Sequence, residues 1–263
     1  MKSLKKIAEN IWEIPKEGKM NVPGRIFASD VLKEKIKEEE KTLEQVKNVA
    51  MLAGIVGYSI AMPDAHQGYG FPVGGVAAFD LEKGIISPGG IGYDINCGVR
   101  LLASNLNKEE FLKKRKEVIH QIKRDVPSGV GRKGEFAVNE KELDKVLKNG
   151  VLWAFEKGYC IKEDVEKCED SGCIKGAESS KVSQKAKSRG HGQLGTLGAG
   201  NHFLEIQEVE TVYDEKIANV FGLRKGQICV LIHSGSRGLG HQTASDYIHL
   251  MEREYGFSHL PDR

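Results

Sequence analysis

Between Ile60 and Arg100 glycine repeatedly interrupts the chain, as in Phe71-Pro-Val-Gly-Gly-Val-Ala-Ala-Phe79 and Gly84-Ile-Ile-Ser-Pro-Gly-Gly90. Such spacing leaves no room for a long helix, and it reads as short strands joined by tight loops. The stretch ends on Gly89-Gly-Ile-Gly-Tyr-Asp-Ile-Asn-Cys-Gly-Val-Arg100, which sets Asp94 and Cys97 three residues apart among glycines. A lone cysteine is most often a small buried hydrophobe. A carboxylate beside it is costly to bury without a partner, and the two together can share one ion. Downstream, Leu197-Gly-Ala-Gly-Asn-His-Phe203 and Ile228-Cys-Val-Leu-Ile-His-Ser-Gly-Ser-Arg237 each carry one histidine into a glycine-rich turn. His202 alone reads as a satisfied core histidine, but Asn201 and the glycines before it point to a backbone approaching a ligand. His233 stands where a buried strand would end. Asp94, Cys97, His202 and His233 together form a mixed ligand set suited to borderline divalent metals, and one cleft is expected to hold all four.

The chain has 263 residues, 40% hydrophobic and 29% charged, with no segment near the roughly 18 apolar residues of a membrane span. That length supports a substantial core. Met1-Lys-Ser-Leu-Lys-Lys is basic but leads into a mixed segment rather than an apolar signal core, so the expected compartment is the cytoplasm. Five cysteines do not make a disulfide framework, although Cys168 and Cys173 could pair in an oxidising setting. With no Cys-x2-Cys nearby they are not read as a zinc site. A net charge of +2 does not announce a nucleic-acid binder, so any basic surface must be local.

Three helices are expected. The first runs from Ser29 to Val49, capped by Ser29 or Asp30, and reads as a solvated face. The second, Lys108 to Val126, places Phe111, Val118, Ile119 and Ile122 at helical spacing, and the third, about Glu140 to Gly158, does so with Leu143, Val146, Leu147 and Trp153. Tyr159 to Ser180 lacks periodicity and reads as an exposed excursion. Phe203 to Val209 alternates as a strand, and Ile228 to Ile232 reads as a short buried one. The fold class is α+β: mixed sheets and glycine-rich loops carry the site, and helices cover them.

Arg237 inside Gly235-Ser-Arg-Gly-Leu-Gly240, and Arg189 beside Gly190-His-Gly192, suit bidentate contact with phosphate, with surface solubility as the plain alternative. No P-loop occurs, and Gly195-Thr-Leu-Gly-Ala-Gly200 has the wrong order for a dinucleotide fingerprint. From the residues alone the chain reads as a metal-dependent enzyme of phosphate or nucleic acid.

Met62-Pro-Asp-Ala-His-Gln-Gly-Tyr-Gly70, Phe71-Pro-Val-Gly-Gly75, Gly92-Tyr-Asp-Ile-Asn-Cys-Gly-Val-Arg100, Gly195-Thr-Leu-Gly-Ala-Gly-Asn-His-Phe203 and His233-Ser-Gly-Ser-Arg-Gly238 closely resemble the RtcB family of RNA-splicing ligases. That resemblance implies joining of an RNA 3′-phosphate or 2′,3′-cyclic phosphate end to a 5′-hydroxyl end through guanylylated intermediates, in tRNA splicing or RNA repair, with GTP and two Mn2+ ions as cofactors. It implies that Cys97 bridges two metal ions, with Asp94 and His202 on one and His233 on the other. Asn201, His202, Phe203, Leu204 and Glu205 would contact the guanylate, while Arg189 and Arg237 would hold an RNA phosphate. The partners implied are RNA, as tRNA halves or broken RNA, and GTP, with no membrane. Family members extend well beyond the position of Arg263, and their later half supplies a further metal-ligating histidine and the guanylylated one. His241, His249 and His259 match no nucleophile motif of the family. Residues 1–263 are therefore expected to be the N-terminal part of a single RtcB-like catalytic domain, truncated at its C-terminus, with the missing half as a further partner. Two rival readings stand: a metal- and RNA-binding module without autonomous catalysis, and a metallophosphodiesterase, which would use the same ligand types.

Overall fold

A computed structural model describes residues 4–256; His259 lies outside them. The fold is α+β, and the described chain divides into two compact units, one formed by residues 1–93 with 247–263 and the other by residues 94–246.

In the first unit, strands β1 (Lys5–Ala8), β2 (Ile11–Ile14) and β3 (Gly24–Phe27) lead into helices α1 (Asp30–Glu38) and α2 (Glu40–Val49). Strands β4 (Ile55–His66) and β5 (Val73–Phe79) and the short helix α3 (Pro88–Ile91) follow. The strands form one sheet in sequence order, antiparallel except where β3 pairs parallel with β4. The expected helix from Ser29 to Val49 is thus two. Ser29 accepts from the Leu32 amide and starts the first, and the backbone leaves helical angles at Glu39. The solvated-face expectation fails for α2, where Thr42, Leu43, Gln45, Val46, Asn48 and Val49 are buried. Leu43, Val46 and Val49 recur every third residue and pack with Trp12, Ile14, Ile26 and Ile55 in the core. Buried Gln45 also donates to the Gly68 carbonyl at 2.7 Å and accepts from its amide at 3.0 Å, which ties α2 to the loop after β4.

In the second unit, β6 (Gly98–Asn107) runs into α4 (Lys108–Asp125), followed by α5 (Glu140–Asn149), α6 (Val151–Glu156), α7 (Lys162–Glu166) and α8 (Gln184–Gly190). Then come β7 (Phe203–Glu208), α9 (Glu215–Phe221), β8 (Gln227–Ser234) and α10 (Arg237–Tyr255), the last reaching past the unit's end. Helix α4 matches its expected span because its ends are written locally. Asn107 and Glu110 form a reciprocal capping box, and Lys123 and Arg124 lie in the last turn. The expected helix Glu140 to Gly158 is broken at Gly150, whose φ of +55° favours glycine, and a Cβ there would run into the Gly172 carbonyl. The supposed excursion Tyr159 to Ser180 is partly anchored: it contains α7, and Val165 is buried. Cys168 accepts from Arg100 Nη1 at 3.1 Å, the Cys173 thiol lies 3.4 Å from the Lys148 carbonyl, and all five cysteines are free.

Strands β6, β8 and β7 form a three-stranded antiparallel sheet with β8 in the middle. Val99 and Phe203 both pair with His233. Because the outer strands run opposite to β8, both begin at the end where β8 finishes. Cys97 directly precedes β6, His202 directly precedes β7, and His233 is next to last in β8. Topology alone therefore brings three separated residues to one edge of one sheet.

Candidate metal centre

The Cys97 sulfur lies 3.3 Å from His202 Nε2 and 3.1 Å from His233 Nε2, and one ligand atom from each of these residues lies within 4.8 Å of the others. The loop that presents Cys97 is a tight turn, with the Cys97 amide donating to the Asp94 carbonyl at 2.9 Å and Asn96 in the left-handed region at φ +62°. Asparagine tolerates that conformation better than most residues.

Asp94 is held from two sides. Its Oδ1 accepts from Ser236 Oγ at 3.0 Å and from the amide of Arg237, the first residue of α10, at 3.1 Å; its Oδ2 lies 2.8 Å from His202 Nε2. The carboxylate therefore sits on a helix N-terminus, where the backbone dipole favours negative charge, and still faces the histidine. Ser236 is a site residue that the sequence reading missed, although a serine just ahead of a helix is a recognisable capping signal. Gln193, whose side chain accepts from the Gly238 amide at 2.9 Å, carried no such signal.

The side chain of His202 is 2% exposed. Its Nδ1 lies 2.8 Å from Arg237 Nη1, and a guanidinium can only donate, so the neutral ring carries its proton on Nε2, towards Asp94 and Cys97. A cation at Nε2 would take the place of that proton. Burial lowers the pKa of His202 first of all, and Arg237 and His233 lower it further against the opposing pull of Asp94, so the ring favours its neutral form. Cys97 is exposed as a residue, but its sulfur is packed between the two rings. Partial burial, followed by the charge of Asp94, raises its pKa while Arg237 opposes them. Two imidazoles, a thiol and a carboxylate fit a borderline divalent cation such as manganese or zinc, and such an ion would favour the thiolate.

Arg237 is strained and incompletely paired. Its φ is +55°, a conformation that costs a non-glycine residue roughly 1–3 kcal/mol, and its buried Nε has no hydrogen-bond partner. Arg189 is exposed at the end of α8, with Nη1 donating to Gln242 of α10 at 2.8 Å. In the expected guanylate stretch, Asn201 is exposed in the turn before β7, and the Phe203 ring meets His233 edge to face at 5.3 Å. Leu204 is half-buried, while exposed Glu205 accepts from Gln207 at 2.8 Å.

Glycines close the site. Gly198 has φ +115°, and a Cβ there would collide with His202 Nδ1 and come within 2.5 Å of the Arg237 guanidinium carbon. A Cβ on Gly235 would meet the Asp94 carboxylate. Gly198→Ala is expected to force the His202 and Arg237 side chains apart. It should destabilise the chain by roughly 1–3 kcal/mol and weaken manganese binding by about tenfold or more, readable by thermal melting and calorimetry. Unchanged values would mean that the loop relaxes freely.

The sequence profile of the family described as tRNA-splicing ligase RtcB matches residues 45–263. The chain belongs to the RtcB family. The tRNA-splicing ligase RtcB of Thermococcus kodakarensis is 55% identical over 100% of this chain and 55% of its own length. Those of Pyrobaculum aerophilum and Nanoarchaeum equitans are 56% and 53% identical, each over 99% of this chain and 54% of their own. The chain thus spans about half the length of the curated relatives it matches. Among its described residues, no helix is long and apolar enough to cross a membrane.

Proposed function

We propose that this chain supplies the metal-holding and phosphate-holding half of an RNA ligase that acts in tRNA splicing or RNA repair. It would join 3′-phosphate or 2′,3′-cyclic phosphate ends to 5′-hydroxyl ends with GTP and two manganese ions. Family membership supports the ligase class, through relatives named tRNA-splicing ligases. The observation that carries the site is the Cys97 sulfur between two imidazole nitrogens, with Asp94 on the His202 side only. A thiolate so placed suits a bridge, with Asp94, Cys97 and His202 around one ion and Cys97 and His233 contributing to a second. Two cations held there would neutralise charge developing on the phosphate during displacement.

The other residues bind and orient. Arg237 offers a buried guanidinium with an unsatisfied Nε–H, which suits an RNA phosphate better than a solvent-facing role. Arg189 would hold the same strand from α8. The stretch from Asn201 to Glu205 would hold the guanylate, with the Phe203 ring fixed against His233 as an apolar wall. Guanylylation gives the inert 3′-phosphate a good leaving group, and the nucleophilic histidine for that step is expected beyond Arg263. A site that depends on a free thiol suits a reducing compartment such as the cytoplasm.

The test is an end-joining assay with the full-length protein. RNA ends bearing 3′-phosphate and 5′-hydroxyl should join in the presence of GTP and manganese, whereas ends bearing 3′-hydroxyl and 5′-phosphate should not. Opening of a 2′,3′-cyclic phosphate without joining would instead identify a metallophosphodiesterase. RNA binding without turnover would identify a binding module.

A further inference from the structure

The second unit has the thinner core. Fifteen buried apolar residues pack together in the first unit, against eight buried in the longer second unit among the described residues. The deficit is concentrated on β6, where nine of ten residues are exposed. Val99 is 60% exposed, Leu101 and Leu102 are each 45% exposed, and Leu106 is 41% exposed. Successive strand residues face opposite sides, so the bare neighbours Leu101 and Leu102 show that both faces of the strand lack cover. Its outer edge lacks cover too: β6 pairs only with β8 among the described residues. The opposite edge strand, β7, is mostly half-buried. A long apolar edge strand left open on two faces invites aggregation, and proteins cover such edges.

The relatives indicate what is available to cover it, since 55% of the Thermococcus kodakarensis protein accounts for this entire chain. A further polypeptide of comparable length therefore exists in such a protein. A second copy of the present chain fits less well, because edge-to-edge pairing of two β6 strands would extend the sheet and leave both faces bare. We propose that the half of the polypeptide that relatives carry outside the matched region docks on β6. It would pair with the free edge as an added strand and cover Val99, Leu101 and Leu102. Cys97 directly precedes β6, so the same contact braces the turn that presents the thiol. This inference rests on family membership and not on the ligase reading.

The experiment co-expresses tagged residues 1–263 with the portion of the Thermococcus kodakarensis protein outside the matched region, and reads co-purification and amide hydrogen exchange without assaying ligation. The two should co-purify at equal stoichiometry, with β6 amides exchanging at least about tenfold more slowly than in the chain alone and β7 amides little changed. Leu101→Glu should abolish co-purification while leaving the thermal melt of the isolated chain unchanged, because the residue is already exposed there. Val220→Glu, on the exposed face of α9, should leave co-purification intact. Absence of association, association that survives Leu101→Glu, protection away from β6, or a dimer of the isolated chain that protects β6 and resists the added half would each overturn the proposal.

Discussion

Cys97→Ser is expected to weaken manganese binding at least about tenfold, and by more than Asp94→Ala does. The Cys97 sulfur contacts both histidines, whereas Asp94 reaches only His202. Losing a bridge removes a ligand from two ions, and losing the carboxylate removes one from a single ion. A hydroxyl is also a much poorer anion than a thiol at neutral pH. Tenfold corresponds to about 1.4 kcal/mol. The pH dependence has a definite sign. Burial and Asp94 hold the Cys97 thiol in its protonated form to higher pH than usual, and binding must displace that proton, so affinity should climb as pH rises from 6 to 9. His202 contributes little to that slope, because burial already favours its neutral form. In Cys97→Ser the upper part of the pH dependence should flatten. Calorimetric titration of the two variants across that range reads both effects. Near-wild-type binding by both variants would remove these residues from the site.

Legibility of the fold in the sequence followed how locally each feature was determined. Helix α4 and strands β7 and β8 were readable because their caps and periodicity lie within their own residues. The breaks at Glu39 and Gly150 were not. Gly150 is demanded by the Gly172 carbonyl across a turn, a contact that periodicity cannot encode. Helix α2 was misread as solvated because its charged approach resembles a surface helix, while Leu43, Val46 and Val49 are claimed by strands distant in sequence. For the site, glycine-bounded Asp94, Cys97, His202 and His233 could be singled out by residue type alone. Their convergence depends on the order β6-β8-β7, and no short window specifies which strands pair. The strain at Arg237 and its hold on His202 arise from Gly198 making room 39 positions earlier, and only coordinates reveal such a packing relation.

Residues 1–263 alone should form no covalent guanylate adduct even while they bind manganese and, weakly, RNA. Covalent attachment needs a nucleophile free to attack the α-phosphate of GTP, and cations lower the barrier to attack without replacing the attacking atom. The histidines within this chain are poorly placed for that role. His202 and His233 face the Cys97 sulfur, where each is a candidate ligand. His191 has its Nδ1 2.9 Å from the Val138 carbonyl at the end of α8, which fixes the ring as a structural brace. His241 is exposed on α10, four residues after Arg237, outside the cluster at the sheet end. Supplying the remaining half, in the same chain or as a separate piece, should restore the adduct if the halves assemble. The measurement is labelled GTP with manganese followed by a denaturing gel, because denaturation removes anything merely bound and retains a phosphoramidate bond. A labelled band from residues 1–263 alone would assign the nucleophile to a histidine already present. His191→Ala and His241→Ala would then identify which one, since only the variant lacking the nucleophile would lose the band.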